Sequence, residues 1–365
     1  MAKTANVNLL YLCSAVLVLE VTAMIKISDI AETLQLSRVT VSAILNDRYR
    51  KLGISEKTAQ RVLQRAEAMG YVPNQNALSM KTGRSMTIGM LSSSLSEEWG
   101  AKILVGALNA IQSTPYSLRI EAVHGSEEER GALERLLGSR VEGLFCCNIN
   151  PAPETNEFFE LATKRYGVAV ASTNCSFTFN HDRFESDNSA AVMALIKHLF
   201  ELGHRKIAHI GGDRISESSR ERSEAFLRGV AALNLNVAEC PVLWSNWKMD
   251  EARSLARQLM EPHNRPTAVV CANDRIAACT LQVANELNLK VPEELSVVGM
   301  TNERISQLTI PAITTVSIPE EDIGRASIMA LIESIESKEK VASQKITRHE
   351  CSIVMRNSTA VVPER

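Results

Sequence analysis

Residues 27–46 read ISDIAETLQLSRVTVSAILN. Ile30, Ala31 and Leu34 fall at helical spacing, a short turn follows at Gln35-Leu36, and Val39, Val41, Ile44 and Leu45 take the pattern up again. Ser28 and Ser37 each stand just ahead of a periodic run, where a hydroxyl can accept a free amide hydrogen at a helix start. The stretch predicts two short capped helices joined by a tight turn. That is a helix-turn-helix, which lays its second helix in the major groove of DNA. Two amphipathic helices that merely pack together share this pattern, so the flanking chain has to separate the readings.

Downstream, residues 46–53 (NDRYRKLG) form a basic loop in which Arg48, Arg50 and Lys51 are suited to phosphate. Ser55 precedes a third helix, Glu56 to Met69, with Val62, Leu63, Ala66 and Met69 on one face and Gly70 as its stop. Tyr71-Val72-Pro73-Asn74 leaves helical geometry, residues 74–81 have short helical character, and Thr82-Gly83-Arg84-Ser85 ends a linker. Upstream, Leu9 to Leu19 is an uncharged apolar run after Lys3, which mimics a secretory signal but is short for a membrane span and meets Glu20. The reading preferred is a mis-called or disordered extension over 1–23, with Met24 opening the protein.

Charge supports a nucleic-acid reader. The net charge of -2 hides a stretch from Met24 to Arg84 with ten Lys/Arg against five Asp/Glu. A basic head on an acidic body suits binding to phosphate through one part only. The eight cysteines form no C-x-x-C and have no histidine at zinc spacing, so they read as packed thiols in a reducing compartment and no metal is expected. G-x-S-x-G, H-E-x-x-H and P-loop patterns are all missing, which argues against an enzyme and against a cofactor.

From Thr87 short apolar runs alternate with helix-length amphipathic segments. Strands are expected at Thr87–Leu91, Leu118–Val123, Gly143–Cys147, Val168–Ser172, Lys206–Ile210, Thr267–Cys271 and Leu295–Met300. Helices are expected at Ala101–Ile111, Glu127–Leu137, Glu157–Arg165, Ser189–Leu202, Arg220–Leu233, Asp250–Met260 and Arg275–Leu287. Such alternation builds right-handed βαβ units on parallel sheets, and two successive sets predict two doubly wound lobes with a cleft between them.

The ordered motifs resemble the lactose/galactose-repressor family of bacterial transcription regulators. They run from Leu36-Ser37-Arg38-Val39-Thr40-Val41-Ser42-Ala43-Ile44-Leu45-Asn46, through Gly70-Tyr71-Val72-Pro73-Asn74 and Thr87-Ile88-Gly89, to Leu202–Gly212, Ala272–Asp274, Val291–Met300 and Pro311–Val316. The resemblance implies an α/β, two-lobed, periplasmic-binding-protein-like body behind a small all-α head. It implies a helix-turn-helix domain over 24–72, a hinge helix and linker over 73–85, and an effector-binding and dimerisation body over 86–365. Arg38 and Val39 would face base edges. Ser28, Ser37, Thr40, Ser42, Asn46, Arg48, Arg50, Tyr71 and Asn74 would set register on the DNA. Ala77 and Met80 would lie on the hinge helix, Met80 as the apolar wedge in the minor groove.

The resemblance further implies a cytoplasmic homodimer, double-stranded operator DNA as partner, and a sugar or nucleoside-like effector held by Ser93, Trp99, Asp187, Ser218, Arg222, Trp247, Asn273 and Thr301. Two departures stand out. Ala43 occupies a position where the family commonly has arginine, so a base contact is expected to be missing. Thr301 replaces the acid that normally accepts from the effector, which weakens the case for a sugar. An exported two-lobed solute-binding protein and a regulator without an effector are the alternatives.

Overall fold

The computed structural model describes residues 24–74, 79, 82–261, 265–337 and 344–362. The expectations for 1–23 and for Ala77 and Met80 fall outside these residues. The chain divides into two compact units, 1–83 and 84–365.

In the first unit, α1 (Ile27–Leu34), α2 (Arg38–Leu45) and α3 (Glu56–Ala68) enclose a core of Ile30, Val41, Ile44, Ala59 and Val62. Ser37 and Ser55 cap α2 and α3, accepting from the amides of Thr40 (3.0 Å) and Thr58 (3.2 Å). Ser28 does not cap α1. The helix starts at Ile27, and Asp29 in its first turn accepts the Lys26 amide (2.8 Å), so the free donor is met by a carboxylate favoured by the helix dipole. Gln35 closes α1 in the left-handed region (φ 55°), which lets the Leu36 amide return to the Ala31 carbonyl at 2.9 Å and makes the turn tight.

The second unit carries a six-stranded sheet in the order β11-β5-β4-β3-β1-β2 and a four-stranded sheet in the order β7-β6-β8-β9. The strands of the first sheet are β1 (Thr87–Ser92), β2 (Ser117–Ala122), β3 (Gly143–Cys147), β4 (Ala169–Thr173), β5 (Asp182–Ser186) and β11 (Ile346–His349). Those of the second are β6 (Ile207–Gly211), β7 (Val242–Trp244), β8 (Ala268–Cys271) and β9 (Ser296–Val298). All pairings within these two sheets are parallel, so each collects its strands' carboxyl ends at one edge. β10 (Thr315–Ser317) and β12 (Ser352–Val354) pair antiparallel beside them.

The expected two-lobed α/β body is what forms, with one difference in how the first lobe is completed. The lobes are not simply successive. The C-terminal helix Glu320–Glu336 returns to pack on the helix Glu98–Ile111, and β11 then joins β5 at the edge of the first sheet. The two helices meet backbone to backbone: a Cβ on Gly324 would collide with the Ile103 carbonyl, and one on Gly106 with the Glu321 carbonyl. Buried residues of both lobes join one core that includes Ile88, Phe145, Leu195, Phe226, Val298 and Leu331. Among the described residues, seven cysteines are free thiols, five of them buried, and no helix is long and apolar enough to cross a membrane.

Candidate functional site

Burying Val41 and Ile44 of α2 leaves its opposite face exposed. Arg38 is exposed there and Val39 is 73% exposed. Beside them Ala43, where the resemblance implied a missing base contact, is only 2% exposed. The cover is the loop after α2. Tyr49 enters the core, its hydroxyl donates to Glu56 (3.0 Å), and the Arg48 amide donates to the Ala43 carbonyl (2.8 Å). A short 3-10 turn, Arg50–Leu52, then brings Leu52 to the same face. The result is an apolar notch of Val39, Ala43 and Leu52 bordered by Arg38, Arg48 and Lys51.

Other residues expected on this face are partly engaged already. Ser37 and Thr40 share a hydroxyl hydrogen bond (2.8 Å), and Asn46 donates to the Ser42 carbonyl (2.6 Å), closing the end of α2. Arg50 pairs with Glu56 at 3.4 Å on the exposed surface, where such a pair holds weakly and a stronger anion can displace it. Tyr71 packs half-buried against the core, which pushes its hydroxyl pKa up, and Asn74 is exposed.

In the second unit a cleft cavity of about 240 Å³ lies at the carboxyl ends of both sheets. Ser93, Trp99, Ser218, Arg222, Trp247, Asn273 and Thr301 line it. Asp187 does not: its carboxylate accepts the Ala190 amide (2.9 Å) and caps the helix Asn188–Glu201. Asn273 both lines the cleft and caps the helix Asp274–Glu286 through the Ile276 amide (2.9 Å).

Arg222 is 5% exposed, donating from Nε to Asn188 Oδ1 (2.8 Å) and from Nη1 to the Ala272 carbonyl (2.6 Å). Burial pulls its pKa below the ordinary arginine value. Ser93 donates to the Asn148 carbonyl (2.5 Å) and accepts from its side-chain amide (2.9 Å). Thr301 stands at φ 94° with its hydroxyl turned to the Met300 carbonyl. Next to it Asp274 is fully buried, accepting from Thr315 (2.5 Å) and from the Glu303 amide (2.7 Å), and burial raises its pKa to about 7.

Four of the residues that sequence reasoning missed share one placement. Asn148, Thr173, Asn174 and Ser186 end or follow strands of the first sheet, as Ser93 does. Once strands are assigned, the residues after their carboxyl ends are the candidates, a signal usable from sequence. Glu97, Arg275, Glu303 and Glu320 also line the cleft. Arg275 bridges Glu97 and Glu303, to the latter at 3.0 Å. Among the described residues no cluster of three His, Cys, Asp or Glu side chains is placed to hold a metal.

Residues 26–74 match the family described as bacterial regulatory proteins, lacI family, and residues 196–359 match the periplasmic binding protein-like domain. The NTD biosynthesis operon regulator NtdR of Bacillus subtilis (strain 168) is 25% identical over 340 residues, covering 91% of this chain and 99% of the relative. The HTH-type transcriptional repressor PurR of Yersinia enterocolitica serotype O:8 / biotype 1B is 28% identical over 349 residues, covering 94% and 99%. The lac repressor dimer bound to operator and the anti-inducer ONPF superposes with a TM-score of 0.82 at 23% identity, over 93% of this chain and 100% of that one, a likeness of fold. With the two family matches in order and the regulators matched end to end, the chain belongs to the lacI family of bacterial regulatory proteins and is a regulator rather than an enzyme.

Proposed function

We propose that this protein is a sequence-specific transcriptional repressor, acting in the cytoplasm as a homodimer on double-stranded operator DNA, with a small-molecule effector in the interlobe cleft. The observation that carries the reading is the family match over 26–74, which spans α1–α3 and the notched, basic face of α2. Residues 24–72 then form the DNA-binding domain, 73–85 the hinge and 86–365 the effector-binding and dimerisation body. Arg38 reaches a guanine edge and Val39 a thymine methyl. Arg48, Lys51 and the hydroxyls of Ser37 and Ser42 hold phosphate. Ala77 and Met80 belong to the hinge segment that enters the minor groove.

Two heads related by a dyad read a palindromic site, because half-site symmetry follows protein symmetry; the lac repressor structure of similar fold is a dimer bound to operator. The effector acts only through its preference for one lobe arrangement over another. A filter-binding titration on the DNA upstream of the chain's own coding region, run across a salt series, tests the proposal. The expected result is saturable binding that weakens steeply with salt and outcompetes random duplex. Equal affinity for the upstream and random duplexes contradicts it.

A further inference from the structure

Leu52 is 60% exposed and shares the notch on the α2 face with Val39, which is more open still. A single exposed apolar side chain is ordinary on a protein surface. Two that line one notch, with the buried Ala43 as its floor, are not scattered in that way. The position of Leu52 is also built. Its amide and that of Ile54 both donate to the Tyr49 carbonyl (3.2 and 3.0 Å), and Gly53 turns the chain between them in the left-handed region (φ 68°). Tyr49 itself belongs to the core of the head. A turn anchored in the core thus holds a leucine out in water, where its apolar surface is unfavourable until something covers it.

The rest of the lining limits what the cover can be. Arg38, Arg48 and Lys51 border the notch, Ser42 adds a hydroxyl, and no carboxylate lines it. The rim suits a polyanion, while the floor offers a phosphate or a polar base edge no hydrogen-bond partner. Of the groups that duplex DNA displays in its major groove, the thymine 5-methyl is the apolar one. Resting on the proposal that this head reads operator DNA, we infer that Leu52 is a base-reading residue. With Val39 and Ala43 it clasps the 5-methyl group of a pyrimidine, while Arg48 and Lys51 hold the flanking phosphates. The loop after α2 therefore sets specificity as well as affinity. At one position of each half-site the protein reads a methyl group rather than a hydrogen-bonding edge.

The test takes the duplex that the full chain selects from a random library and replaces each thymine in turn by uracil. That change keeps every hydrogen-bonding group and removes only the methyl. One thymine in each half-site should respond, with binding about fourfold weaker for each methyl lost, the worth of one buried carbon. At the same position 5-methylcytosine should bind better than cytosine by a similar factor. Leu52→Ala, a change at an exposed side chain, should shrink both ratios and leave the base preference read by Arg38 in place. If no thymine responds, or if both ratios stay the same in Leu52→Ala, the inference is overturned while operator recognition stands. If the chain selects no sequence at all, the operator proposal fails and the inference fails with it.

Discussion

The indole of Trp247 occupies the space where a side chain on Gly212 would stand. A Cβ built on Gly212 collides with three atoms of the ring system. Trp247 itself sits in the left-handed region (φ 57°), and its Nε1 donates to Ser216 Oγ at 3.4 Å. The glycine after β6 is thus what allows a tryptophan after β7 to form one wall of the cleft.

Gly212→Ala should displace that wall. Overpacking of this kind costs about 1–3 kcal/mol, and here the neighbour that must move lines the binding cavity. The expected outcome is a lower melting temperature together with a shifted Trp emission maximum. An unchanged emission spectrum would show that the indole does not rest on Gly212.

Gly324→Ala tests how the C-terminal segment is held to the first lobe. Its new methyl meets the Ile103 carbonyl, a backbone atom that cannot swing aside. Separating the helices Glu98–Ile111 and Glu320–Glu336 loosens shared core at Ile103, Ile328 and Leu331. The expected loss, read by denaturant midpoint, is about 1–3 kcal/mol or more. Alanine introduced at the exposed glycine Gly138, which has open space around it, serves as the control and should be near neutral.

His204 and His209 are buried and lie within hydrogen-bond distance of Thr267 and Ser296, and of the Val270 carbonyl and Ser223. Burial takes both pKa values down to about 4 from 6.5. In the unfolded chain each takes a proton near 6.5, and in the folded chain only near 4. Their contribution to stability is whole above 6.5 and is lost as pH falls towards 4. Glu185, Asp274 and Glu320, raised by burial to about 7, act in the opposite sense, since their folded forms keep a proton that the unfolded forms release. Comparing the wild type with His204→Gln isolates the histidine. The stability difference between them should shrink as pH falls from 7 to 4.5, and a constant difference would refute the assignment.

The body was legible wherever strands are apolar and buried. Gly143–Cys147 lies in its expected place, and six other strands fall within a few residues of theirs. β5 and β11 escaped because Asp182, Arg183, Glu185 and Arg348 break the apolar run, and β7, β10 and β12 because they are three residues long and, unlike β9, lie in no longer apolar run. The helix Glu320–Glu336 did carry a signal. Its acidic first turn and the spacing of Ile323, Ile328, Leu331 and Ile332 mark an amphipathic helix. Ala43 could not be judged from α2 alone. The loop after α2 returns to it, the Arg48 amide donating to the Ala43 carbonyl and Leu52 closing on the same notch, and that fold-back is not visible in the helix pattern.

Selection from a random duplex library by the purified full chain, followed by sequencing, reads whether the protein recognises a DNA sequence and which one. Enrichment of a palindrome with two identical half-sites is the expected result. Repeating the selection with Arg38→Ala should relax one base pair in each half, costing about 1–3 kcal/mol there and leaving the other positions in place. A bound pool no different in sequence from the input library would show that the protein does not read sequence.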